Sequence, residues 1–415
     1  MHKLFNELFL INRSLAGDEN RKTLNILKKY NKELKINSFK SGGKIENWKI
    51  PNEWKIKDAY ILNSKGKRVI DYKDNFLHVA SYSIPFKGYL NCKELKKKLF
   101  TKKNSYDAIP YKTLYYSNDW GFCVSKKQLK NFFKDSNERF FICIDSSFKK
   151  GKMDYGEVLL RGRSKREIIF STYICHPNLA NNELSGPVLA SELINKLKKK
   201  RLRYTLRFLF LTETVGAIAY INKNFDDLKK NFLAGYILTC VAGPGKLSLL
   251  KSKYGNSLSD KYAIKTLKEL NLKFKELNFL NRGSDERQYS WPNTNLQFSS
   301  IMQSKYGDYR EYHSSLDNLN FINKKSFELS LKVYDKIINN INSNYFPKST
   351  TKFEPKMDKY VDYEKNYNEI KNILNFLSYC DGMNDLSYIT SKIKINNENT
   401  LKIFNFCLKK KLISI

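Results

Sequence analysis

Four histidines stand in the 415-residue sequence, at positions 2, 78, 176 and 313. His176 ends an apolar run and opens the stretch His176-Pro177-Asn178-Leu179-Ala180-Asn181-Asn182-Glu183-Leu184-Ser185-Gly186. An imidazole at a strand tip, with the Glu183 carboxylate one loop away, can share a divalent ion, because imidazole nitrogen and carboxylate oxygen are good zinc ligands. The competing reading is a histidine that caps its strand through hydrogen bonds. Glu213, in Leu211-Thr212-Glu213-Thr214-Val215-Gly216, follows a second apolar run. There it suits a general base for a metal-activated water, or a carboxylate that complements a helix N-terminus. Two polar clusters add to these, Asn281-Arg282-Gly283-Ser284-Asp285-Glu286-Arg287-Gln288-Tyr289 and Tyr309-Arg310-Glu311-Tyr312-His313-Ser314-Ser315-Leu316-Asp317-Asn318. They bring a second imidazole, His313, and groups able to bind metal or orient a substrate, among them Asp285, Arg287 and Tyr312. A Ser-Asp helix cap and a surface turn are the plainer alternatives.

Such residues reach one place only if elements carry them there. Glu167 to Cys175, Thr205 to Leu211 and Ala234 to Cys240 read as strands, and Gly186 to Ile194 and Gly216 to Ile221 as helices between them. Strands alternating with helices predict an α/β sheet with parallel pairs, which binds ligands beyond the C-terminal ends of its strands. His176, Glu213 and Val241 fall at those ends. Residues 1 to about 40 read as helical. From Trp48 to Val124 short β-type runs such as Trp54-Lys55-Ile56, Ala59-Tyr60-Ile61-Leu62 and Phe76-Leu77-His78-Val79 point to a β-rich insert. Asn344 to Lys352, with Pro347, reads as a linker. The short helices beyond it, Ile370 to Leu377, Leu386 to Ile393 and Leu401 to Leu412, suit a winged-helix module.

Bulk composition narrows the function classes. Hydrophobic residues at 41% and aromatics at 14% supply material for sizeable cores and exclude a disordered chain. The formal charge of +34 raises nucleic acid as a partner. Lysine is scattered, however, and its dense runs, Lys196 to Arg201 and Lys409 to Lys411, end predicted helices where cations favour the dipole. Nucleic acid is therefore not expected. Seven isolated cysteines without a C-x-x-C pair argue against a disulfide framework. The N-terminus lacks the apolar core of a signal peptide, and no run reaches the roughly 18 apolar residues of a membrane span. A cytoplasmic protein of two or three units is the expectation.

Taken together, the strand-His segment with its A-N-N-E-L-S-G-P continuation, T-E-T-V-G-A-I-A-Y, R-G-S-D-E-R-Q-Y and E-Y-H-S-S-L-D-N-L resemble an aminopeptidase-like family of unknown function. That family is distantly similar to zinc aminopeptidases and glutaminyl cyclases. The resemblance implies an aminopeptidase-like mixed sheet flanked by helices (residues 1–40 and 146–345), a β-rich inserted domain (41–145) and a C-terminal winged helix (355–415). It implies His176 and His313 as metal ligands, Glu213 as general base and Asp285 in a supporting catalytic role; Glu183, the carboxylate next to Asn182, is expected as the third ligand, and Arg287, whose planar fork suits bidentate pairing, as a clamp for a substrate carboxylate. Tyr312 joins Arg287 as a substrate-binding candidate. The sequence departs from the wider clan at Asn182, where an aspartate bridges two zinc ions, at Thr214, where a ligand glutamate follows the base, and at Val241-Ala242-Gly243-Pro244-Gly245, which offers no acid. One zinc ion at most is expected. The resemblance thus implies a zinc-dependent hydrolase of a peptide or amide bond, with a small molecule or peptide as substrate and a link to surface-polysaccharide pathways. The alternative is a catalytically inactive binding or regulatory protein on the same scaffold, whose winged helix meets a protein partner.

Overall fold

The computed structural model describes residues 3–135, 137–361 and 367–415. An eight-stranded mixed sheet organises it. Along the chain its strands are β1 (Lys35–Lys40), β2 (Lys152–Leu160), β3 (Ser164–Tyr173), β4 (Tyr204–Leu211), β5 (Phe232–Ile237), β6 (Ser248–Leu250), β7 (Lys275–Leu277) and β8 (Phe298–Met302). They lie in the order β1-β2-β4-β3-β5-β8-β6-β7. The central strands β4, β3, β5 and β8 run parallel. Their sequences are nearly continuous apolar runs because helices cover both faces: every residue of β4 and the last seven of β3 are buried.

On one face the helices Ser185–Leu197, Leu258–Glu269 and Lys324–Asn342 bury Leu189, Leu193, Ala263, Tyr334 and Ile337 against Phe170, Phe208 and Tyr236. On the other, Val215–Lys223 and Phe225–Asn231 bury Ala217, Tyr220 and Leu228 against Ile169, Leu209 and Ile237. The sheet is therefore the mixed, helix-flanked α/β layer expected.

Residues 53–149 build a second, four-stranded antiparallel sheet from Arg68–Asp71, Glu53–Leu62, Arg139–Lys149 and Phe86–Asn91. It has its own core around Trp54, Ile61, Phe140 and Ile142. Arg21, on the helix Asp18–Tyr30, ties this unit to the main sheet by bonding Glu53 at 2.8 Å and Asp154 of β2 at 2.9 Å. The C-terminal helices Tyr367–Ser378, Leu386–Ile393 and Asn397–Lys409 enclose a further core of Ile373, Phe376, Phe404 and Cys407.

Three local expectations are corrected. The N-terminal helical stretch stops at Tyr30, and Lys35–Lys40 is a strand paired with Lys152–Glu157, where the Phe39 ring stacks on Tyr155. Phe76–His78 is a turn of 3-10 helix, because the Asn75 side chain accepts the Leu77 N–H at 2.9 Å and caps it. Part of the expected linker, Lys348–Ser349, is ordered as a ribbon with Ile413–Ser414. Among the described residues no helix is long and apolar enough to cross a membrane.

Candidate metal and catalytic site

The site lies where β3 and β4 end. After Tyr173 the chain continues through Ile174, whose N–H still bonds to Leu211 C=O, and reaches His176. A π-helical turn, Ala180–Leu184, then carries Glu183 inward before the helix Ser185–Leu197 begins. Its first N–H groups, buried and without intrahelical partners, are satisfied by Asp317, which accepts from Asn181 N–H at 2.6 Å and Asn182 N–H at 3.0 Å. Gly186 permits the tight entry: a Cβ there would stand 2.1 Å from Leu238 C=O and 2.2 Å from Thr172 Oγ1. Glu213 follows β4, and Thr214 adopts a left-handed φ of 64°.

This geometry puts two carboxylates on two sides of one imidazole. Glu183 Oε2 lies 2.6 Å from His176 Nδ1, and Glu213 Oε2 lies 3.7 Å from His176 Nε2. Glu183 is wholly buried, and Arg13 Nε sits 3.8 Å from its other oxygen while donating to His176 C=O at 3.0 Å. Ser284 Oγ donates to Glu213 Oε1 at 2.9 Å. Asp285 does not cap its own helix; its Oδ1 accepts the Thr214 N–H at 2.7 Å. Arg287 Nη2 donates to Thr214 Oγ1 at 2.6 Å.

His313, with a left-handed φ of 50°, faces the same place. Its ring centroid is 5.4 Å from that of His176, and Tyr312 stacks on it at 3.9 Å. The β-rich unit completes the enclosure. Tyr111 sets its ring 4.8 Å from His176 and 5.2 Å from His313, and its N–H donates to His313 C=O at 2.8 Å. Lys102 Nζ donates to Tyr312 C=O. Neither ring nitrogen of His313 has a hydrogen-bond partner among the described residues.

Enclosure shifts the titrating groups. Burial raises the Glu213 carboxyl above its ordinary range, against the pull of His176, Ser284 and Arg287. Burial and then Glu213 push Asp285 well up. His313 is held well below the usual imidazole value by burial, with His176 and Lys102 adding repulsion. For His176 burial also works against the charge, but Cys175, Tyr111 and Glu183 outweigh it and raise the imidazole well above its ordinary value. Burial pushes the Cys175 thiol up to about 11.

The structure thus gathers His176, Glu183, Glu213, Asp285, Arg287, Tyr312 and His313 around one place, with a division that spacing did not reveal. The donor atoms crowded within 4.8 Å of one another belong to Cys175, His176 and Glu183, on the Nδ1 side, whereas Glu213 faces Nε2. Asn182 sits in a neutral network: its Nδ2 donates to Tyr173 OH at 3.0 Å and Cys240 Sγ at 3.8 Å, and its Oδ1 is buried without a donor. Sequence reasoning passed over Arg13, Tyr111, Cys175 and Asp317. Asp317 and Cys175 lay inside stretches already singled out; Arg13 and Tyr111 approach from distant segments without any spacing signal.

Residues 2–344 match a family described as Domain of unknown function (DUF4910). A Clostridium acetobutylicum protein, provisionally named for polysaccharide biosynthesis and an aminopeptidase-like domain, is 40% identical over 360 residues, 86% of this chain and 82% of its own. A crystal structure of a provisionally named peptidase from Clostridium acetobutylicum superimposes with a TM-score of 0.80 at 37% identity, covering 99% of this chain and 94% of that one. A zinc aminopeptidase from Bacillus subtilis shares the fold at a TM-score of 0.58 and 11% identity, over 81% of this chain and 94% of its own.

Proposed function

The chain belongs to this family of unknown function, DUF4910, and from that premise we propose that it is a zinc-dependent hydrolase acting on a peptide or amide bond. One observation carries the reading: His176 is held through Nδ1 by a buried carboxylate while Nε2 is left facing a second carboxylate. Metal-binding histidines characteristically donate their other ring N–H in this way, which fixes the tautomer and the ring plane.

The residues fit a single divalent ion. Neither ring nitrogen of the half-buried His313 has a hydrogen-bond partner among the described residues, which leaves its imidazole free to ligate. Two imidazoles close to one another, with His313 kept neutral by its surroundings, add nitrogen donors. His176 through Nε2 and His313 would hold the ion. Glu183, expected as a ligand, is assigned instead the role of orienting His176, because an ion at Nε2 lies on the far side of the ring from it. Zinc there would supply Lewis acidity toward an amide carbonyl.

The chain's own groups then divide the work. Glu213, its carboxyl raised by burial, takes the proton of the attacking water, and Ser284 fixes which of its oxygens is free. Asp285 supports the Thr214 backbone and so the position of Glu213. Arg287 is the clamp for a substrate carboxylate, and Tyr312, its ring stacked on His313, is the second substrate contact. The relative's name links it to polysaccharide biosynthesis, which we extend to this chain as a sugar-linked amide among the substrates to be tried.

The test is metal content of protein purified without added zinc, with His176→Ala and His313→Ala beside it, followed by a screen of peptides and amidated sugars. About one zinc per chain, abolished by both substitutions, is expected. A second reading, a non-catalytic binding protein, draws on the neutral Asn182 to Cys240 network; a chain that takes up no metal from added zinc would establish it over the first.

A further inference from the structure

We propose that a cavity bounded by Arg163, Arg201 and Arg203 is a second ligand site, one that takes a small phosphorylated anion. Two basic runs, Arg161-Gly162-Arg163-Ser164-Lys165-Arg166 and Lys198-Lys199-Lys200-Arg201-Leu202-Arg203, meet at the N-terminal ends of β3 and β4, the opposite edge of the sheet from His176. Backbone bonds set them side by side: Arg163 N–H donates to Leu202 C=O at 3.1 Å and Ser164 N–H to Arg203 C=O at 2.7 Å. Gly162 permits the approach, since a Cβ there would stand 2.4 Å from the Tyr204 carbonyl carbon. The result is a cavity of about 300 Å³ with the three arginines, Ser164, Asn342 and Tyr345 in its wall.

Like charges on neighbouring backbone destabilise one another; here Arg163 and Arg201 are exposed to solvent and Arg203 is half-buried. The nearby lysines have carboxylate partners, Lys196 and Lys200 in Asp335 and Lys198 in Glu33. No Asp or Glu side chain lines the cavity; Ile415 does line it, with an oxygen that accepts from Ser164 Oγ at 3.2 Å, and none of the three arginines forms an ion pair among the described residues. Arg203 is also fixed in place: its Nε donates to Asn342 C=O at 3.0 Å, and its guanidinium carbon lies 3.4 Å from the Tyr345 ring centre. A held guanidinium in a wall shared with two further arginines offers the planar N–H fork that pairs with phosphate oxygens. The volume matches a small molecule; a strand of nucleic acid would need a basic groove several nucleotides long.

The experiment is calorimetric titration of the full chain with inorganic pyrophosphate and with a nucleoside diphosphate, at about 0.15 M salt to screen diffuse attraction. The variants are Arg163→Ala, Arg201→Ala, their double, and Lys65→Ala/Lys67→Ala, which removes two exposed cations of the β-rich unit. Saturable 1:1 binding, unchanged in the lysine variant and weakened about tenfold or more in the arginine double, is expected. Equal affinity for both probes assigns the site to the phosphates alone, and tighter binding of the nucleoside diphosphate assigns its organic part a contact as well. No saturable binding, or equal weakening in the lysine variant, overturns the proposal.

Discussion

Glu183 Oε2 lies 2.6 Å from His176 Nδ1, and the bond decides which nitrogen of the ring is left for chemistry. With Nδ1 bonded to Glu183, Nε2 is the nitrogen that faces Glu213, and an ion would bind there in exchange for its proton. His176→Ala should therefore abolish zinc binding, whereas Glu183→Gln should keep the stoichiometry and weaken affinity by about 10- to 100-fold, as loss of an orienting partner does. Competition against a chromophoric chelator reads both. Loss of all zinc in Glu183→Gln would return Glu183 to the ligand role that its spacing suggested.

Glu213→Gln should retain metal and lose about 10²- to 10⁴-fold in kcat/KM on whichever amide the screen identifies. The pH profile carries more detail. A base works above its pKa, and burial raises that of Glu213, so the acid limb should stand above the ordinary glutamate range. The Ser284 hydroxyl pulls the value down. Ser284→Ala should accordingly move the acid limb to higher pH, and a limb that stays put would detach Ser284 from the base.

The sheet was legible because its central strands are buried on both faces and so carry long apolar runs, and because His176 and Glu213 follow those runs directly. The edge strand Lys35–Lys40 was not, since one flank is open and its alternation is short. The site was legible as a set of residue types but not as an arrangement. Spacing brought Glu183 near His176 without saying which nitrogen it would meet. Nothing in the N-terminal segment marked Arg13, nor in the insert Tyr111, as a neighbour of the same imidazole, because those contacts cross 163 and 65 positions of chain and depend on how the N-terminal segment and the β-rich unit pack on the main sheet.

Arg21 tests that packing. Its guanidinium bonds Glu53 of the β-rich unit and Asp154 of the main sheet, whose side chains are 5% and 2% exposed. Arg21→Ala leaves Glu53 and Asp154 only the exposed Lys149 and Lys152, at 3.3 and 3.6 Å, and should cost about 2–4 kcal/mol in denaturant unfolding. Burial favours the neutral form of Glu53, but Arg21 and the Lys152 N–H overcome it and hold the carboxyl at about 2. A depressed pKa stabilises the fold above the unfolded value near 4.5, and that contribution should disappear as pH falls toward 2. In Arg21→Ala the acid midpoint should move up in pH.

Asp317 carries the opposite sign. Burial raises its carboxyl to about 6, although Asn181 N–H, Asn182 N–H and Tyr309 OH all donate to it. The folded chain then holds the proton more tightly than the unfolded chain between pH 3.8 and 6. Stability should fall across that window and level off above it, by about 3 kcal/mol at 1.36 kcal/mol per unit. Asp317→Asn removes the titration and one of the two backbone acceptors that shape the Ala180–Leu184 turn. It should be less stable than the parent at pH 4, with the gap narrowing by about 3 kcal/mol as pH rises to 7. Because that turn carries Glu183, zinc affinity should drop in the same variant even at pH 7, where the stability gap is smallest. An unchanged affinity would mean that the turn holds its shape without Asp317, and that its packing against the Leu238 carbonyl through Gly186 suffices.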